Sequence, residues 1–337
     1  MTVSADQNSN PPWIARQAAQ LLAQRGHAWL LHGPSGLGQY RLGLALAQAW
    51  LCEQPRPDGP CLQCGSCHAV AVRTHADLCV LMPETVMLAL GWPLAEKAQQ
   101  EIDDKKRKAS REIRVEAMRD ALEFSQRTSA RGRGKAVLVY PAERMNHVTA
   151  NALLKTLEEP PGDVRFVLAS EAGHQLLPTV RSRCLGHAMD WPSEADSLAW
   201  LQGQGLAESD AATLLRAAGG RAEDALQWAQ AGRDARRWSL LPKALARGDG
   251  SLLADWPPAD VLDALQKLCH DAMASQSGAA PRFFQPADLP SRGDFRALSE
   301  WSRQLMRAAR TVEHPYQAGL MLEALVSQAR AALNSGN

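Results

Sequence analysis

The chain has no long hydrophobic segment and almost no net charge. No uninterrupted apolar stretch reaches the roughly 18 residues that a membrane-spanning helix needs, and residues 1–12 are polar, without a basic segment followed by an apolar run. The 337 residues carry a formal net charge of +1, so no overall electrostatic attraction draws the chain to nucleic acid. We therefore expect a cytoplasmic globular protein, whose length suits about two or three domains.

A glycine-rich loop lacks the two residues that would make it a working nucleotide site. Residues 33–40 read GPSGLGQY and stand between a predicted strand and a predicted helix. Gly33 and Gly38 frame a phosphate-binding loop, in which a lysine normally contacts the β- and γ-phosphates and the next Ser or Thr holds magnesium. Gln39 offers only neutral hydrogen bonds instead, and Tyr40 carries its hydroxyl at the far end of a rigid ring. This degenerate loop is predicted to have no functional ATP site.

The acidic residues expected after a second apolar strand are also missing. Nucleotidases of this fold end that strand in acids that hold magnesium and orient the attacking water, whereas here the apolar run 135–140 ends in Tyr140 and Pro141. Glu143 follows two positions later, either as a displaced acid or as a carboxylate at the start of a surface helix. Because two catalytic elements are lost together, we expect a nucleotidase fold without hydrolysis. An ATPase with a rewired loop is the alternative.

Four of the seven cysteines form a dense cluster. Within sixteen positions the sequence places Cys52, Cys61, Cys64 and Cys67. Such spacing in a cytosolic protein favours a metal over disulfides, and four thiolates close a tetrahedral zinc site that is structural rather than catalytic. His68 and His75 are alternative ligands, and four free thiols in a loop are the simpler alternative. A zinc-dependent module that binds nucleic acid is a further hypothesis.

Alternating strand and helix patterns predict an α/β domain with a doubly wound parallel sheet up to about residue 190. Strand patterns occur at 28–32, 77–82, 135–140 and 164–169. Helical patterns occur at 14–25, 42–51, 113–126 and 148–159. Asn146 is the expected N-cap of the last of these helices, and Pro160 is expected to end it. Residues 84–112 are predicted to be an irregular insertion, whose charged run 103–108 is a solvated face or loop rather than a nucleic-acid patch.

The strand signal ends near residue 193, and the rest of the chain is predicted to be helical. Residues 194–230 favour three short helices separated by glycines, and 233–332 favour a longer helical region with a proline-rich interruption at 281–290.

Two basic segments are candidates for contacts with another molecule. Arg183, in the segment 179–184 (TVRSRC) just after the last predicted strand, is either an arginine that stabilises charge in a neighbour's nucleotide site or a structural salt-bridge residue. The turn that carries Arg131, Arg133 and Lys135 is a candidate contact for a DNA backbone.

Several motifs together resemble one known family. They are 25–29 (RGHAW), the loop 33–38, the four-cysteine segment, 151–161 (NALLKTLEEPP), 182–184 (SRC), 219–221 (GGR) and 320–325 (LMLEAL). In this combination, with a degenerate loop, the chain resembles the delta-prime family of subunits of the bacterial DNA polymerase III clamp loader, a branch of the AAA+ proteins.

The resemblance implies a fold and a role. It implies an AAA+ domain at 1–192 with the zinc module at 52–67, a helical lid at 193–232 and an all-α collar domain at 233–337. The family role is that of a subunit with no intrinsic ATPase, accessory to a DNA-directed DNA polymerase holoenzyme, a nucleotidyltransferase complex. It assembles with gamma/tau and delta subunits to load the beta sliding clamp on primed DNA during replication. The resemblance also implies that Arg183 completes the ATP site of an adjacent gamma/tau subunit.

Overall fold

The chain forms two compact units, the first ending at Trp191 and the second beginning at Pro192. The computed structural model describes residues 10–290, 293–311 and 318–336. Within these ranges no helix combines the length and the apolar character that crossing a membrane requires. The lid expected at 193–232 and the collar expected at 233–337 both fall in the second unit, and the boundary between them stays a prediction.

The described part of the first unit contains five strands and eight α-helices. The strands are β1 (Ala28–His32), β2 (Leu78–Leu81), β3 (Lys135–Val139), β4 (Val164–Ser170) and β5 (Leu185–Ala188). The helices are α1 (Pro12–Leu22), α2 (Gln39–Leu51), α3 (Gly65–Ala71), α4 (Glu84–Ala89), α5 (Glu96–Asp103), α6 (Val115–Gln126), α7 (His147–Glu158) and α8 (Pro178–Arg181). The four strands that the sequence predicts are confirmed to within one residue at each end.

The five strands form one parallel sheet in the order β2-β3-β4-β1-β5. β1 lies inside it, with Leu30 opposite Leu168 on β4 and Gly186 on β5. Because all strands run the same way, their carboxyl ends meet at one edge of the sheet. The loop after β1 and the residues that follow β3 and β4 therefore come together at this edge. The predicted α/β class is confirmed.

Burial on both faces explains the continuous apolar character of the central strands. β3 is buried along its whole length, and Leu168 on β4 is fully buried. α2 packs closely on one face because Gly43 has no side chain, since a Cβ there would lie 2.7 Å from Leu138 Cδ1. α6 and α7 pack on the sheet through Met118 and Leu153, which are fully buried.

The sequence patterns do not predict β5. It pairs with β1 on one side, and three of its four residues are exposed. Such a strand has no continuous apolar run to mark it. The consequence concerns Arg183, which lies in the turn between α8 and β5 and so precedes the last strand instead of following it.

The insertion at 84–112 is more ordered than the sequence predicts, since it contains α4 and α5. Arg107 holds it together through ion pairs with Glu84 at 2.5 Å and Glu101 at 2.7 Å. A second nitrogen of Arg107 donates to the other Glu84 oxygen at 2.8 Å, which makes that pair bidentate. Within the run at 103–108, Arg107 is therefore bound within the chain.

The second unit is helical throughout its described part. Its helices are α9 (Glu194–Gly203), α10 (Glu208–Ala217), α11 (Ala222–Gln230), α12 (Ala235–Ala246), α13 (Pro258–Gln276), α14 (Phe295–Thr311) and α15 (Ala318–Leu333). The core centres on large aromatic side chains. Trp238 stacks on Phe284 with ring centroids 4.5 Å apart, and Trp301 is fully buried nearby in the same core. The three short helices predicted over 194–230 and the interruption at 281–290 are confirmed.

A buried carboxylate fixes the turn that leads into β3. Asp77 is fully buried; its Oδ1 accepts a hydrogen bond from Ala130 N at 2.8 Å and pairs with Lys135 Nζ at 3.2 Å. Its Oδ2 accepts hydrogen bonds from Ser129 Oγ at 3.0 Å and from Arg131 N at 2.9 Å. Burial raises the pKa of Asp77, but these donors outweigh it and hold the pKa below its ordinary value.

This network corrects one of the expected DNA contacts. Lys135 is only 6% exposed, and its ammonium pairs with Asp77 and lies 4.0 Å above the Phe124 ring. It is therefore a core residue, and the prediction that it contacts DNA is wrong. Arg131 pairs with Glu53 at 2.8 Å, and Arg133 is exposed.

Replacing Asp77 by Asn should destabilise the protein by about 3–5 kcal/mol, because it leaves the Lys135 ammonium buried without its counter-ion. Asp120→Asn, at an exposed position on α6, is the matched control and should change stability by less than about 0.5 kcal/mol. Urea unfolding monitored by circular dichroism measures both.

The pH dependence gives a second readout of the same change. The pKa of Asp77 is lower in the folded than in the unfolded state. The contribution of Asp77 to the free energy of unfolding is therefore complete above the unfolded pKa of about 3.9, and it is lost as the pH falls through the folded pKa. Asp77→Asn should therefore flatten the acid limb of stability against pH. An unchanged acid limb would contradict the assignment.

Candidate functional site

The loop between β1 and α2 keeps the backbone shape of a phosphate-binding loop. Gly36 and Gly38 have φ angles of 78° and 89°, a region that residues with side chains rarely adopt, and Gly38 is the N-cap of α2. Gly33 N donates to Ser170 O at 3.3 Å, which ties the loop to the end of β4. The glycine frame predicted from the sequence is therefore in place at the carboxyl edge of the sheet.

The side chain of Gln39 is turned back into this loop. It is 2% exposed, and its Nε2 donates to Gly33 O at 3.0 Å and to Pro34 O at 2.7 Å. A lysine at this position would carry a charge to the phosphates of a nucleotide. Gln39 instead uses both N–H donors on the carbonyls of its own loop.

The hydroxyl of Tyr40 is also engaged away from any metal position. It accepts a hydrogen bond from Trp92 Nε1 at 2.8 Å, and its ring lies 5.4 Å from that of Tyr140. Burial raises the pKa of Tyr40 despite the hydrogen bond from Trp92. Tyr140 in turn donates from its hydroxyl to Glu171 Oε1 at 2.7 Å. Two aromatic rings thus stand where a magnesium ligand and an acidic strand end would be.

Glu143 is bound within the chain. It lies in a 3-10 helix, Ala142–Arg144, that follows Pro141. Its carboxylate accepts hydrogen bonds from Ser170 Oγ at 2.7 Å and from Glu171 N at 3.2 Å. Glu143 stands at the start of a helix as predicted, but it is half-buried rather than on the surface, and its carboxylate joins the ends of β3 and β4.

The four clustered cysteines meet in space. The sulfur atoms of Cys52, Cys61, Cys64 and Cys67 all lie within 4.8 Å of one another. The Cys52–Cys64 pair is 3.8 Å apart and the Cys61–Cys67 pair 3.9 Å apart. A tetrahedral zinc site with bonds of about 2.3 Å requires sulfur separations of about 3.8 Å. The donor set therefore fits a metal such as zinc.

Backbone N–H groups around the cluster donate to its sulfur atoms and favour the ionised form at two of the four cysteines. Cys52 accepts a hydrogen bond from Cys61 N at 3.3 Å, Cys61 from Cys64 N at 3.3 Å, and Cys64 from Cys67 N at 3.4 Å. Burial opposes ionisation of Cys64, but backbone donors lower its pKa to about 6, whereas burial raises the pKa of Cys52 and of Cys67. The thiolate is the form that binds a metal. His75 is no ligand; its Nδ1 accepts from Asp77 N at 3.0 Å, and it is absent from the donor cluster of the described chain.

A carboxylate connects the cysteine cluster to the sheet. Glu53 accepts hydrogen bonds from Ser66 N at 3.1 Å and Ser66 Oγ at 3.0 Å, and it pairs with Arg131 at 2.8 Å. Arg131 N in turn donates to Asp77, the buried carboxylate before β3. The cluster is thus anchored to the core of the first unit at both ends, since Cys52 directly follows α2.

Arg183 forms the salt bridge that was one of its two predicted roles. Its Nε donates to Glu158 Oε1 at 2.7 Å, its Nη2 pairs with the same oxygen, and its Nη1 donates to Thr179 O at 2.8 Å. The side chain of Arg183 is 29% exposed and that of Glu158 is 50% exposed. Exposed pairs of this kind contribute only about 0–1 kcal/mol to stability. The ion pair therefore adds little stability, and stability alone does not explain an arginine at this position.

Three partners of the site residues were not predicted from the sequence. Trp92 and Glu171 fill the space beside Tyr40 and Tyr140, and Glu158 holds Arg183. For Glu158 the sequence offered one signal of a role, because it is the last residue of α7 and belongs to the motif 151–161. Trp92 and Glu171 had none, because only the fold brings them to the loop.

Replacing Cys64 by Ser should remove the bound metal, because three remaining thiolates bind zinc far more weakly than four. Atomic absorption on the purified protein should find about one zinc per chain in the wild type and much less in Cys64→Ser. Cys79→Ser, outside the cluster, is the control and should keep its zinc. A wild-type protein that folds without metal would contradict the assignment.

Comparison with known proteins places the chain in a family. The family described as "DNA polymerase III, delta subunit" matches residues 15–190. DNA polymerase III subunit delta' of Pseudomonas aeruginosa is 40% identical over 192 residues, which are 56% of this chain and 52% of that protein, so the chain spans about half of that relative.

Two relatives from Escherichia coli extend the comparison. Subunit delta' is 32% identical over 283 residues, which are 80% of this chain and 78% of that protein. DNA polymerase III subunit tau is 32% identical over 232 residues, which are 67% of this chain and 30% of that protein. On the family match and on the long delta' alignment, the chain belongs to the DNA polymerase III delta' family of clamp loader subunits.

Proposed function

We propose that the chain is a clamp loader subunit that does not hydrolyse ATP and that supplies Arg183 to the ATP site of a neighbouring subunit. It assembles with gamma/tau and delta subunits, and the assembly loads the beta sliding clamp on primed DNA during replication. The proposal rests on family membership for the assembly and on the geometry of the loop and of Arg183 for the division of labour.

The single observation that carries the proposal is the position of Gln39. Its amide donates to the carbonyls of Gly33 and Pro34, so it brings neither a charge nor a free donor to a phosphate group. A neutral amide used in this way cannot offset the charge that develops on transferred phosphoryl oxygens, which is the main task of such a site. Tyr40 and Glu143 are likewise held by other residues of the chain.

Arg183 suits a contribution to another subunit's site. It lies near the edge of the sheet, in the turn before the exposed strand β5, and part of its guanidinium is open to solvent. A guanidinium placed beside a transferring phosphoryl group stabilises its charge and is worth about 10³–10⁵ in rate in GTPases. The cysteine cluster contributes no reactive metal to this proposal, because four protein ligands leave no open position for water.

Arg183→Ala should strongly reduce ATP hydrolysis at one site of the reconstituted assembly while the ring still forms. The assay uses gamma/tau subunits whose own Ser-Arg-Cys arginines are replaced by alanine, so that residual hydrolysis reports the site that Arg183 completes. We expect a fall of at least about 100-fold in that residual rate. Size-exclusion chromatography checks assembly.

Two further variants sharpen this measurement. Arg183→Lys keeps the charge but loses the planar fork, and we expect it to recover only a small part of the rate. Arg181→Ala, at an exposed position two residues earlier, should leave the rate unchanged. An intact assembly in which Arg183→Ala hydrolyses ATP like the wild type would overturn the proposed role.

The isolated chain should neither bind Mg·ATP tightly nor hydrolyse it, because its loop lacks the lysine charge and the magnesium ligand. Isothermal titration with Mg·ATP and a sensitive phosphate-release assay measure this. The alternative, an ATPase with a rewired loop, predicts hydrolysis that disappears in Glu143→Gln. Such hydrolysis would refute a subunit without ATPase activity.

A further inference from the structure

The guanidinium of Arg183 is held in one orientation before any partner binds. Two of its nitrogens, Nε and Nη2, contact the same Glu158 oxygen, the former at 2.7 Å. Its Nη1 donates to Thr179 O at 2.8 Å and makes a long contact of 3.5 Å with Ser182 Oγ. An arginine has several soft torsions, so three acceptors that agree on one orientation restrict it substantially.

These contacts leave part of the guanidinium available. An arginine carries five N–H groups in a planar fork. The Glu158 oxygen takes the edge formed by Nε and the inner N–H of Nη2. The outer N–H of Nη2 belongs to the other edge, and no contact that Arg183 makes within the described chain uses it. The ion pair therefore orients the guanidinium and leaves the outer N–H of Nη2 available to another molecule.

The backbone at both anchors packs against the core. Glu158 is the last residue of α7, next to the fully buried Leu157, whose carbonyl contacts the His27 ring at 2.8 Å. Thr179 lies in α8 beside the fully buried Val180. Because both neighbours pack into the core of the first unit, the backbone positions that carry the two acceptors of Arg183 are fixed relative to the sheet.

We propose that Glu158 is a positioning residue that presents Arg183 to the nucleotide of the neighbouring subunit. This inference rests on the proposed function, since it concerns the same arginine. A guanidinium oriented in advance loses less freedom in the transition state, and a displacement of about 1 Å at such a group costs roughly 100-fold in rate.

The charge of Glu158 does not cancel this role. Its side chain is 50% exposed, so water and salt screen its attraction for the arginine. A nucleotide phosphate carries more negative charge than one carboxylate and engages the free edge of the guanidinium. Glu158 can thus keep its own contact while the outer N–H binds the phosphate.

The test uses the reconstituted assembly in which residual ATP hydrolysis reports the site completed by Arg183. Glu158→Ala should lower kcat by about 10- to 100-fold and leave KM for ATP nearly unchanged, because the neighbouring subunit supplies the nucleotide-binding loop. Glu158→Gln, which keeps an acceptor oxygen at the same distance, should retain more activity than Glu158→Ala. Glu159→Ala, the adjacent exposed glutamate, is the matched control and should behave like the wild type.

A double-mutant cycle separates positioning from general stability. If Glu158 acts through Arg183, Glu158→Ala should have no further effect on an assembly that already carries Arg183→Ala. Size-exclusion chromatography and thermal unfolding check that each variant assembles and folds. Should Glu158→Ala fail to fold, the Glu158→Gln comparison in both backgrounds carries the same test.

The possible outcomes distinguish the positioning role of Glu158 from the proposed function of Arg183. A large effect of Arg183→Ala combined with unchanged or faster hydrolysis in Glu158→Ala and Glu158→Gln overturns the positioning role and leaves the proposed function intact. Faster hydrolysis identifies Glu158 as a restraint that the arginine must leave. Additive losses overturn the inference as well, because Glu158 then acts independently of Arg183. No effect of Arg183→Ala removes the proposed function and this inference together.

Discussion

The hydrogen bonds from the Gln39 side chain to the carbonyls of Gly33 and Pro34 determine what the glycine-rich loop of this chain can do. The glycines preserve a loop that curls at the start of α2. Gln39 occupies the position of the phosphate-binding lysine, but its amide donates to the carbonyls of the loop. The neighbouring side chains are also bound within the chain, since Tyr40 is held by Trp92 and Glu143 by the end of β4. The loop thus keeps its backbone shape but not the side chains that bind a nucleotide, which supports the proposed role of a subunit that contributes to assembly.

The remaining features stabilise the unit that carries Arg183. Asp77 fixes the turn before β3, and Glu53 connects that turn through Arg131 to the cysteine cluster that follows α2. A metal held by all four thiolates would suit such a brace, because it would add a rigid cross-link without an open position for chemistry. On this frame the arginine between α8 and β5 has a small stabilising value and a well-defined orientation.

The parts that sequence predicted well are those set by local pattern. β1, β3 and β4 are continuous apolar runs, the cysteine spacing predicted the cluster, and Asn146 accepts a hydrogen bond from Thr149 N as an N-cap does. β5 was missed because an exposed edge strand leaves no apolar run. Lys135 was misassigned because its partner, Asp77, is distant in sequence. The Glu158–Arg183 contact joins residues that are distant in sequence, and the inward turn of Gln39 depends on the folded path of the loop that starts at Gly33.

The most direct measurement is a cryo-electron microscopy structure of the assembled clamp loader with Mg²⁺ and a transition-state analogue of ATP. We expect density for nucleotide in a neighbouring gamma/tau site, with the Arg183 guanidinium within hydrogen-bonding distance of its phosphate group. We also expect that the loop at 33–40 of this chain holds no nucleotide and that Gln39 keeps its bonds to the loop carbonyls. Nucleotide bound in that loop, or Arg183 remote from every nucleotide, would contradict the proposed function.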